Sequence, residues 1–576
     1  MKKNYTFVAL MLAFVFCPNL CLAIDPVLIN VNQYQIDHTE KLIVVNQEVE
    51  QINVAFPGTK DAIMLDELFS FDVPLTTVAI GTAYAVKNQS NISYVLYFTQ
   101  LPLVNITTTN EIVDDPRVLS QFTFSESNGN VVSSRLGIEI RGGTSRFFPK
   151  KSYRIEFWAD DEGLNSVDYS FLGMRSDDDW NLQAMYNEPL KLRGKTNNEL
   201  WREIHTLYYQ ASEPDAITGV RMEYVELFLN GAYKGVYALS ERVDRKQLKL
   251  KKTRDNGTIR GELYKGEKNG VANRFLDTDP LPVPPEDPFL WGGFGYEYPD
   301  EIAPDWTLLR DFVSFVVYED DATFSAEYKN KFDVTNAADY YIYMNLMRAL
   351  DNRAKNLFIA KYDANQPYFY VPWDLDGTFG NDPLGDRDNI TNDVLTNGLY
   401  NRLNLQTEIG GYARVVKARW DALRASVITV PNIMSMFMQN HDYLLANAVY
   451  EREEMVWDFT YDSDNLTYIN DWTTERLAFL DNYFATNFTL SLADLKNQSS
   501  VKMYPNPAVD RVNIALENHA FPIETSIYTL TGQKVLQQTM NNNSTSLDVS
   551  RLSAGIYVVV IQSDALNETK KLIIKK

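Results

Sequence analysis

The 576-residue chain has no cysteine beyond residue 21, because its two cysteines are Cys17 and Cys21. Disulfide bonds, thiolate zinc sites and cysteine nucleophiles are therefore excluded from any fold that the later residues form. The four histidines are too widely scattered for a helical metal site. The chain must be held together by apolar burial, for which 45% hydrophobic residues, with 34 Tyr and 30 Phe, are sufficient.

The first 23 residues have the features of a secretory signal peptide. Two lysines precede a short apolar run over residues 7–16, and residues 21–23 fit the small-x-small pattern of a cleavage site. The run is short for a membrane span, and no comparable stretch follows it. We therefore predict an exported mature chain without a transmembrane segment; a retained N-terminal anchor is the alternative.

The formal net charge of −22 excludes one class of partner. A surface of this sign repels DNA, RNA and anionic lipid, so no nucleic-acid partner is expected. The same charge keeps a protein soluble outside the cell, and it can also attract basic protein substrates.

The chain is too long for one core, and its patterns divide it after the signal peptide into four segments. Residues 24–115 alternate apolar and polar positions in short runs, which predicts a small β-rich domain. Residues 116–490 have a strand-rich half, with one helical stretch at residues 190–209, followed by a helix-rich half; this order suggests two lobes around a ligand site. Residues 491–500 read as a polar linker, and residues 501–576 as a separate small β domain.

The most informative chemistry lies in a loop, a hairpin and a second loop. Asp351 and Asn356, separated by four residues, follow a strongly apolar helix, and two strand-like runs then lead to Asp374. Kinases place the catalytic base, a metal-binding Asn and a metal-binding Asp in this order, because a carboxylate must meet the attacking hydroxyl and hard oxygens must hold Mg²⁺ on the phosphates. The alternative is structural: Asp351 caps a helix, and the Asp-Gly at residues 376 and 377 forms a turn.

Several longer motifs accompany this loop. Residues 141–157 contain Arg-Gly-Gly-Thr-Ser followed by Pro-Lys-Lys-Ser-Tyr-Arg, and four more segments follow in order at residues 179–182, 225–237, 240–243 and 372–376. From about residue 101 to 485, these motifs resemble the CotH (spore-coat protein H) family of secreted, atypical protein kinases. The chain departs from the family at residues 144–145, at Leu375 and in a Pro/Gly/acid-rich insert over residues 265–300, whose residues 281–295 we predict to be a loop.

The resemblance implies an α+β chain whose central domain is an atypical bilobal protein-kinase-like fold, with a strand-rich N-lobe and a helical C-lobe. It implies ATP and Mg²⁺ (or Mn²⁺) as ligands. By the same resemblance Asp351 is the catalytic base, and the metal ligands are Asn356, Asp374 and, as a possible third, Asp376.

Lys151 is predicted to be the phosphate-binding lysine of this site. It follows a glycine-containing loop and heads an alternating strand, on which it shares one face with Tyr153 and Ile155. We expect that face to point into the cleft. The alternative is that Lys150 and Lys151 are both exposed charges at a strand edge.

Two further residues are predicted to contact the nucleotide. The planar guanidinium of Arg141 suits phosphate, and Glu241 lies in hinge position, where a backbone contact to adenine is expected. For Glu241 the alternative is a surface ion pair with Arg242. The helical stretch at residues 190–209 is expected to be a regulatory helix, in which Glu199 or Glu203 pairs with a lysine.

The C-terminal segment carries a second resemblance. Its motifs, at residues 503–507, 527–534, 552–559 and 571–576, resemble in order and spacing the sorting domain of the type IX secretion system of Bacteroidetes. The resemblance implies a β-sandwich, the type IX machinery as a partner, and a secreted or cell-surface protein.

The predicted function is transfer of the ATP γ-phosphoryl group to Ser or Thr of a secreted or surface protein. A catalytically silent kinase-like scaffold or adhesin is the main alternative, and the β-rich N-terminal region and the tail fit it equally well. The full set of Asp351, Asn356 and Asp374 favours the enzyme, because a silent domain has no need to retain all three. A glycosidase that uses Asp374 and Asp376 is disfavoured, since residues so close along the chain face different directions or crowd together.

Overall fold

The computed structural model describes residues 26–300, 302–488, 501–516, 521–529, 533–563 and 566–576. They belong to two compact units, which meet in the sequence between residues 488 and 489. The predicted signal peptide and the predicted linker lie outside the described residues. The described residues form a mixed α+β structure, and none of their helices is long and apolar enough to cross a membrane.

A seven-stranded sheet with one helix begins the first unit. Its elements are β1 (Val27–Leu28), β2 (Tyr34–Asp37), β3 (Leu42–Val45), α1 (Val49–Ala55), β4 (Lys60–Met64), β5 (Leu68–Leu75), β6 (Ala83–Asn88) and β7 (Ser93–Phe98). The strands pair in the order β1-β4-β5-β6-β7-β3-β2. The next strand precedes the predicted boundary at residue 115, yet it pairs within the following barrel and not within this sheet.

The barrel occupies the strand-rich part of the sequence. In chain order its strands, with the short ribbon β12-β13, are β8 (Leu103–Thr107), β9 (Val118–Ser125), β10 (Val131–Arg141), β11 (Ser152–Trp158), β12 (Tyr169–Ser170), β13 (Ser176–Asp177), β14 (Asp179–Gln183), β15 (Met222–Leu229) and β16 (Ala232–Ser240). The barrel closes in the order β10-β11-β14-β16-β15-β8-β9. Tyr153, Ile155 and Phe157 alternate along β11 and pack in the barrel core, so the polar face of β11 points out of the barrel.

A five-stranded sheet follows, and it corrects one prediction. Its strands are β17 (Glu262–Gly266), β18 (Leu290–Trp291), β19 (Phe294–Tyr298), β20 (Leu357–Lys361) and β21 (Tyr368–Pro372), paired as β18-β19-β17-β20-β21. The predicted hairpin between the two acidic loops is β20-β21. The predicted loop over residues 281–295 is wrong for its last part, because β18 and β19 pair as a hairpin. Gly292 and Gly293, with φ of 57° and 99°, make its turn, a conformation that glycine adopts readily.

Helices dominate residues 305–350 and 410–487, as the sequence predicts. After α1 the helices are α2 (Arg193–Ile204), α3 (Arg245–Leu248), α4 (Thr307–Tyr318), α5 (Asp321–Lys331), α6 (Val334–Met347), α7 (Gly398–Leu403), α8 (Tyr412–Arg424), α9 (Val430–Ala446), α10 (Val449–Val456) and α11 (Asp464–Asn487). Helix α6 is buried over all of residues 336–347. It begins at Asp333, whose carboxylate accepts the N–H of Thr335 at 3.0 Å, and it ends at Arg348 in the left-handed conformation. This buried helix leads into the loop that contains Asp351.

The second unit is made of β-strands, as predicted for the tail. They are β22 (Val501–Tyr504), β23 (Arg511–Leu516), β24 (Ile523–Thr529), β25 (Lys534–Met540), β26 (Ser544–Asp548), β27 (Gly555–Ser563) and β28 (Leu566–Ile574). One sheet has the order β22-β23-β26 and the other β25-β24-β27-β28. Val512 and Leu547 from the first sheet share one core with Ile527 and Val559 from the second, which is the packing of a sandwich.

Two adjacent residues of α10 carry opposite charges, and both are buried. Arg452 donates from Nε to Glu226 Oε2 of β15 at 3.0 Å, and Glu453 Oε1 accepts from Lys150 Nζ at 2.6 Å. Gly235 of β16 makes room for this contact, because a Cβ there would lie 2.0 Å from Glu453 Oε1. A buried charge is costly unless it is paired, so these two contacts fix α10 against the barrel.

We predict that Arg452→Met strongly destabilises the first unit, because it leaves the carboxylate of Glu226 buried without a counter-charge. The free energy of unfolding should fall by about 3–5 kcal/mol. Urea unfolding followed by tryptophan fluorescence measures this in the full chain, since all nine tryptophans lie before residue 473.

The matched control is Lys417→Met, which removes a more exposed ion pair with Asp421 on α8. It should change the free energy of unfolding by no more than about 0.5 kcal/mol. Equal unfolding midpoints for the two variants would contradict the structural role given to α10.

Candidate functional site

A cavity of about 610 Å³ lies between the barrel, the five-stranded sheet and the loops that follow α6 and β21. Its walls belong to the first unit. The predicted site residues that line it are Arg141, Asp351, Asn356, Asp374 and Asp376. Two other predicted residues, Lys151 and Glu241, are not among the residues that line it.

Two unusual backbone turns bring Asn356 and Asp374 together. Both residues have a φ of 56°, in the left-handed region that non-glycine residues rarely adopt. The buried side chain of Asn352 links the turns, because its Nδ2 donates to the carbonyl of Asn356 at 2.5 Å and to that of Trp373 at 2.9 Å. The sequence analysis missed Asn352, whose one signal was its position directly after Asp351. Strained backbone held by buried hydrogen bonds is typical of functional sites.

Helix α2 supports the second loop from another side. Asn197 Nδ2 donates to the carbonyl of Leu375 at 2.8 Å and to Thr378 Oγ1 at 2.7 Å. Arg193 Nε donates to the carbonyl of Thr378 at 2.9 Å, and its guanidinium also pairs with Glu188 in the cavity wall. The position of Asp374 and Asp376 therefore depends on α2.

Asp374 and Asp376 form an acidic pair in the cavity wall. Asp376 is half-buried, and it accepts from Asn187 Nδ2 at 2.8 Å and from the N–H of Gly377 at 3.0 Å. Burial, with the negative charge of Asp374 beside it, raises the pKa of Asp376 to about 7. Asp374 is exposed, and no hydrogen bond from a described residue reaches its carboxylate. The donor set fits a divalent cation such as Mg²⁺, because a bound cation would remove the repulsion between two oxygen ligands.

Arg141 supplies positive charge close to this pair. Its guanidinium lies 5.6 Å from the centroid of the Trp373 ring. Burial lowers the pKa of Arg141, and the charge of Asp374 acts in the opposite direction. Among the described residues that line the cavity, Arg141 is the one cation without a hydrogen bond or ion pair to a carboxylate. An unpaired guanidinium of this kind suits an anionic ligand.

The structure corrects the prediction for Lys151. Its Nζ donates to the carbonyls of Arg146 at 2.7 Å and Phe148 at 2.6 Å, and Lys151 is not among the residues that line the cavity. Lys150 lines the cavity instead, where burial lowers its pKa to about 8 and the partner Glu453 acts in the opposite direction. The prediction assumed that the apolar face of β11 points into the cleft, whereas the barrel core takes that face.

The side chain of Glu241 binds neighbouring backbone groups. Its two carboxylate oxygens accept the backbone N–H groups of Arg175 at 2.9 Å and Arg221 at 3.0 Å, and the residue is buried. The alternative pairing with Arg242 does not form either, because Arg242 pairs with Asp179. The side chain of Glu241 therefore holds neighbouring backbone and does not reach the cavity.

Neither glutamate of α2 lines the cavity. Glu199 pairs with Lys195 on the same helix at 2.9 Å, and Glu203 accepts from Asn432 at 3.4 Å. The carboxylate that meets Lys150 is Glu453 of α10. Its partner lies 303 residues earlier in the sequence, so no local pattern indicates the pair.

Asp351 begins a short 3₁₀ turn, Asp351–Arg353, at the cavity edge. Its Oδ2 lies 3.0 Å from Lys355 Nζ, and the two side chains are 29% and 35% exposed. No described backbone N–H donates to this carboxylate, so Asp351 does not act as a helix cap. The turn alternative holds in part at Asp376, which accepts the N–H of Gly377.

Comparisons with known proteins agree with this architecture. Residues 138–480 match the family described as CotH kinase protein, and residues 502–575 match the secretion system C-terminal sorting domain. Inner spore coat protein H of Bacillus subtilis (strain 168) is 25% identical over 368 residues, which cover 62% of this chain and 90% of that protein. The sorting domain indicates export by type IX secretion, to the cell surface or the medium.

We predict that Asp376→Asn stabilises the metal-free protein more strongly at pH 8 than at pH 5. The pKa of Asp376 is higher in the folded protein than in the unfolded chain, so ionisation of this carboxyl group destabilises the fold. Below about pH 4 the group is protonated in both states and costs nothing, and the cost grows as the pH rises to about 7. Asparagine cannot ionise, and at pH 8 the gain should be about 1–3 kcal/mol. Urea unfolding in the presence of a chelator measures it.

Asp386→Asn is the control, because this exposed carboxylate lies on the same loop but does not line the cavity. Its difference from wild type should be the same at both pH values. A pH-independent effect of Asp376→Asn would show that the carboxyl group titrates normally.

Proposed function

The chain belongs to the CotH kinase protein family, and from this premise we propose that its cavity binds ATP with Mg²⁺ or Mn²⁺ and phosphorylates Ser or Thr of a secreted or surface protein. One observation supports the proposal above the others. Asp351, Asn356 and Asp374 line a single cavity together with the unpaired Arg141. In this proposal the barrel and the helical region act as the two lobes of a kinase-like domain.

The proposed catalytic base is Asp351. Its carboxylate lies at the cavity edge, partly exposed, where an acceptor hydroxyl can approach from solvent. The carboxylate accepts the hydroxyl proton as the oxygen attacks the γ-phosphorus. The buried helix α6 and Asn352 keep this loop in place, so the base does not have to be ordered in each turnover.

The remaining polar groups would hold the nucleotide and its cation. Asn356, Asp374 and Asp376 would hold the divalent ion, which neutralises charge on the phosphates when it is bound. Arg141 would bind phosphate through its free guanidinium, and Lys150 would take the role predicted for Lys151, because Lys150 is among the residues that line the cavity. Residues 242–243 line the cavity in the predicted hinge position, where adenine would contact the backbone.

We predict that Asp374→Asn and Asp351→Asn fail in different ways. Asp374→Asn should weaken the binding of ATP with Mg²⁺, since it removes charge that opposes the cation. Asp351→Asn should bind the nucleotide like wild type and transfer phosphate at least about 10²-fold more slowly. Calorimetry measures binding, and incorporation of labelled phosphate measures transfer.

Asp382→Asn serves as the control for these two variants, because this nearby carboxylate does not line the cavity. Wild-type transfer rates in both site variants would refute the assigned roles. A wild-type protein that neither binds ATP with Mg²⁺ nor gains melting temperature from them would instead favour the silent scaffold or adhesin.

We predict that deletion of residues 489–576 abolishes export and leaves the first unit folded. The two units are separately compact, and the deleted part carries the sorting domain. Cell fractionation and tryptophan fluorescence report the two effects. Full-length Asp351→Asn is the control and should be exported normally; a truncated chain that still reaches the surface would contradict the prediction.

A further inference from the structure

Glu297 reaches the cavity because of an irregularity in the pairing of β17 with β19. Leu263 pairs with Tyr298 and Tyr264 pairs with Tyr296, so Glu297 is one extra residue between two paired positions. This arrangement is a β-bulge, which re-aims a side chain and is over-represented beside active sites. Glu297 lines the cavity and is half-buried. The bulge lies in the insert, where the sequence departs from the family.

The carboxylate of Glu297 has no partner in the described part of the chain. The other glutamates of the cavity wall are held by cations: Glu139 by Arg117 and Arg154, Glu188 by Arg193, and Glu267 by Lys265. Burial lowers the pKa of Arg154 and nearby carboxylates, Glu297 among them, raise it by more, yet this guanidinium pairs with Asp179 at 2.6 Å. A half-buried charge without a partner is unfavourable for folding alone, which indicates a ligand.

Glu297 lies away from the reacting end of the cavity. Leu263, which adjoins the bulge, stands three residues before Gly266, the strand end whose carbonyl accepts the N–H of Asn356 at 3.0 Å. At about 3.3 Å per residue, three residues of strand separate Glu297 from that loop by roughly 10 Å along the sheet. A role for Glu297 beside the proposed metal ligands is therefore disfavoured.

The hinge end of the cavity lies close to Glu297. Tyr298, the next residue, packs in one hydrophobic cluster with Val243, which lines the cavity in the predicted hinge position. The triphosphate of ATP separates the reacting phosphorus from the nucleoside, so a nucleotide whose γ-phosphate lies beside Asp374 extends its nucleoside towards this end. A nucleoside offers two neighbouring hydroxyl donors on its ribose, and a carboxylate is the acceptor that binds ribose hydroxyls in other nucleotide sites.

We propose that Glu297 binds the ribose hydroxyl groups of ATP and makes the site selective for ribonucleotides; this inference rests on the proposed function. The carboxylate accepts hydrogen bonds from the 2′-OH and the 3′-OH, and a charged acceptor strengthens both. No bond is made or broken at this position. Glu297 therefore determines specificity and takes no part in phosphoryl transfer.

The test compares ATP with 2′,3′-dideoxy-ATP, each with Mg²⁺, by calorimetry on the full chain. Wild type should bind ATP at least about tenfold more tightly, because a hydrogen bond to a charged acceptor contributes that factor or more. In Glu297→Ala the two Kd values should agree within about threefold, through a loss for ATP alone. Its kcat at saturating ATP should equal that of wild type. Glu297→Gln keeps one uncharged acceptor, should show an intermediate preference, and replaces Glu297→Ala if the latter fails to fold.

The matched control is Glu286→Ala. Glu286 is exposed, lies in the same insert and does not line the cavity, so this variant should prefer ATP as strongly as wild type does. Equal Kd values of wild type for the two nucleotides overturn this inference alone. A Glu297→Ala variant that keeps the full preference, or that binds both nucleotides equally more weakly, overturns it as well. A folded wild-type protein that binds neither nucleotide overturns the proposed function and the inference together.

Discussion

Arg452 and Glu453 stand side by side in α10 with opposite charges, and both side chains are buried. Each reaches a different part of the barrel: Arg452 meets Glu226 of β15, and Glu453 meets Lys150 just before β11. Glu226 also accepts from two hydroxyl groups, so its buried carboxylate is fully hydrogen-bonded. Such satisfied networks specify one arrangement of the elements that they join. The barrel wall of the cavity is therefore positioned by a helix from the far end of the same unit.

The opposite wall of the cavity depends on the side-chain amide of one residue, Asn352. Asn356 and Asp374 both adopt a left-handed backbone conformation, and the amide of Asn352 bonds the carbonyls that adjoin them. Neither loop could hold its conformation alone, because the strain has to be offset by contacts elsewhere. The result is a pair of carboxylates, at Asp374 and Asp376, in which burial and the neighbouring charge of Asp374 raise the pKa of Asp376. The scaffold thus holds together two carboxylates that a cation would satisfy.

The sequence predicts the order of elements well, and it places Asp351, Asn356, Asp374 and Arg141 at one site. These residues sit in loops beside strong periodic patterns, where chain order and hairpin geometry leave little freedom. Predictions fail where a choice depends on the third dimension. Alternation along β11 separates two faces, but it does not tell which face the barrel core takes, and so it cannot decide whether Lys151 points into the cleft.

Contacts between residues that lie far apart in the sequence cannot be predicted from local patterns either. Glu241 follows a strand in the expected hinge position, yet its carboxylate serves two backbone N–H groups that come from distant loops. The turn at residues 292 and 293 has the composition of a loop, and only the burial of Trp291 and Phe294 makes it a hairpin. No sequence pattern identifies Asn352, because its role depends on the carbonyl groups of Asn356 and Trp373, which only the folded chain brings to it.

The sequence distance between the partners of α10 has a consequence for biosynthesis. Lys150 and Glu226 are made 303 and 226 residues before the side chains that neutralise them. Until the intervening chain has been made, Lys150 and Glu226 have no partner from α10, and burying either charge alone is costly. A chain that ends before residue 452 lacks both counter-charges, so Lys150 and Glu226 would have no partner from α10.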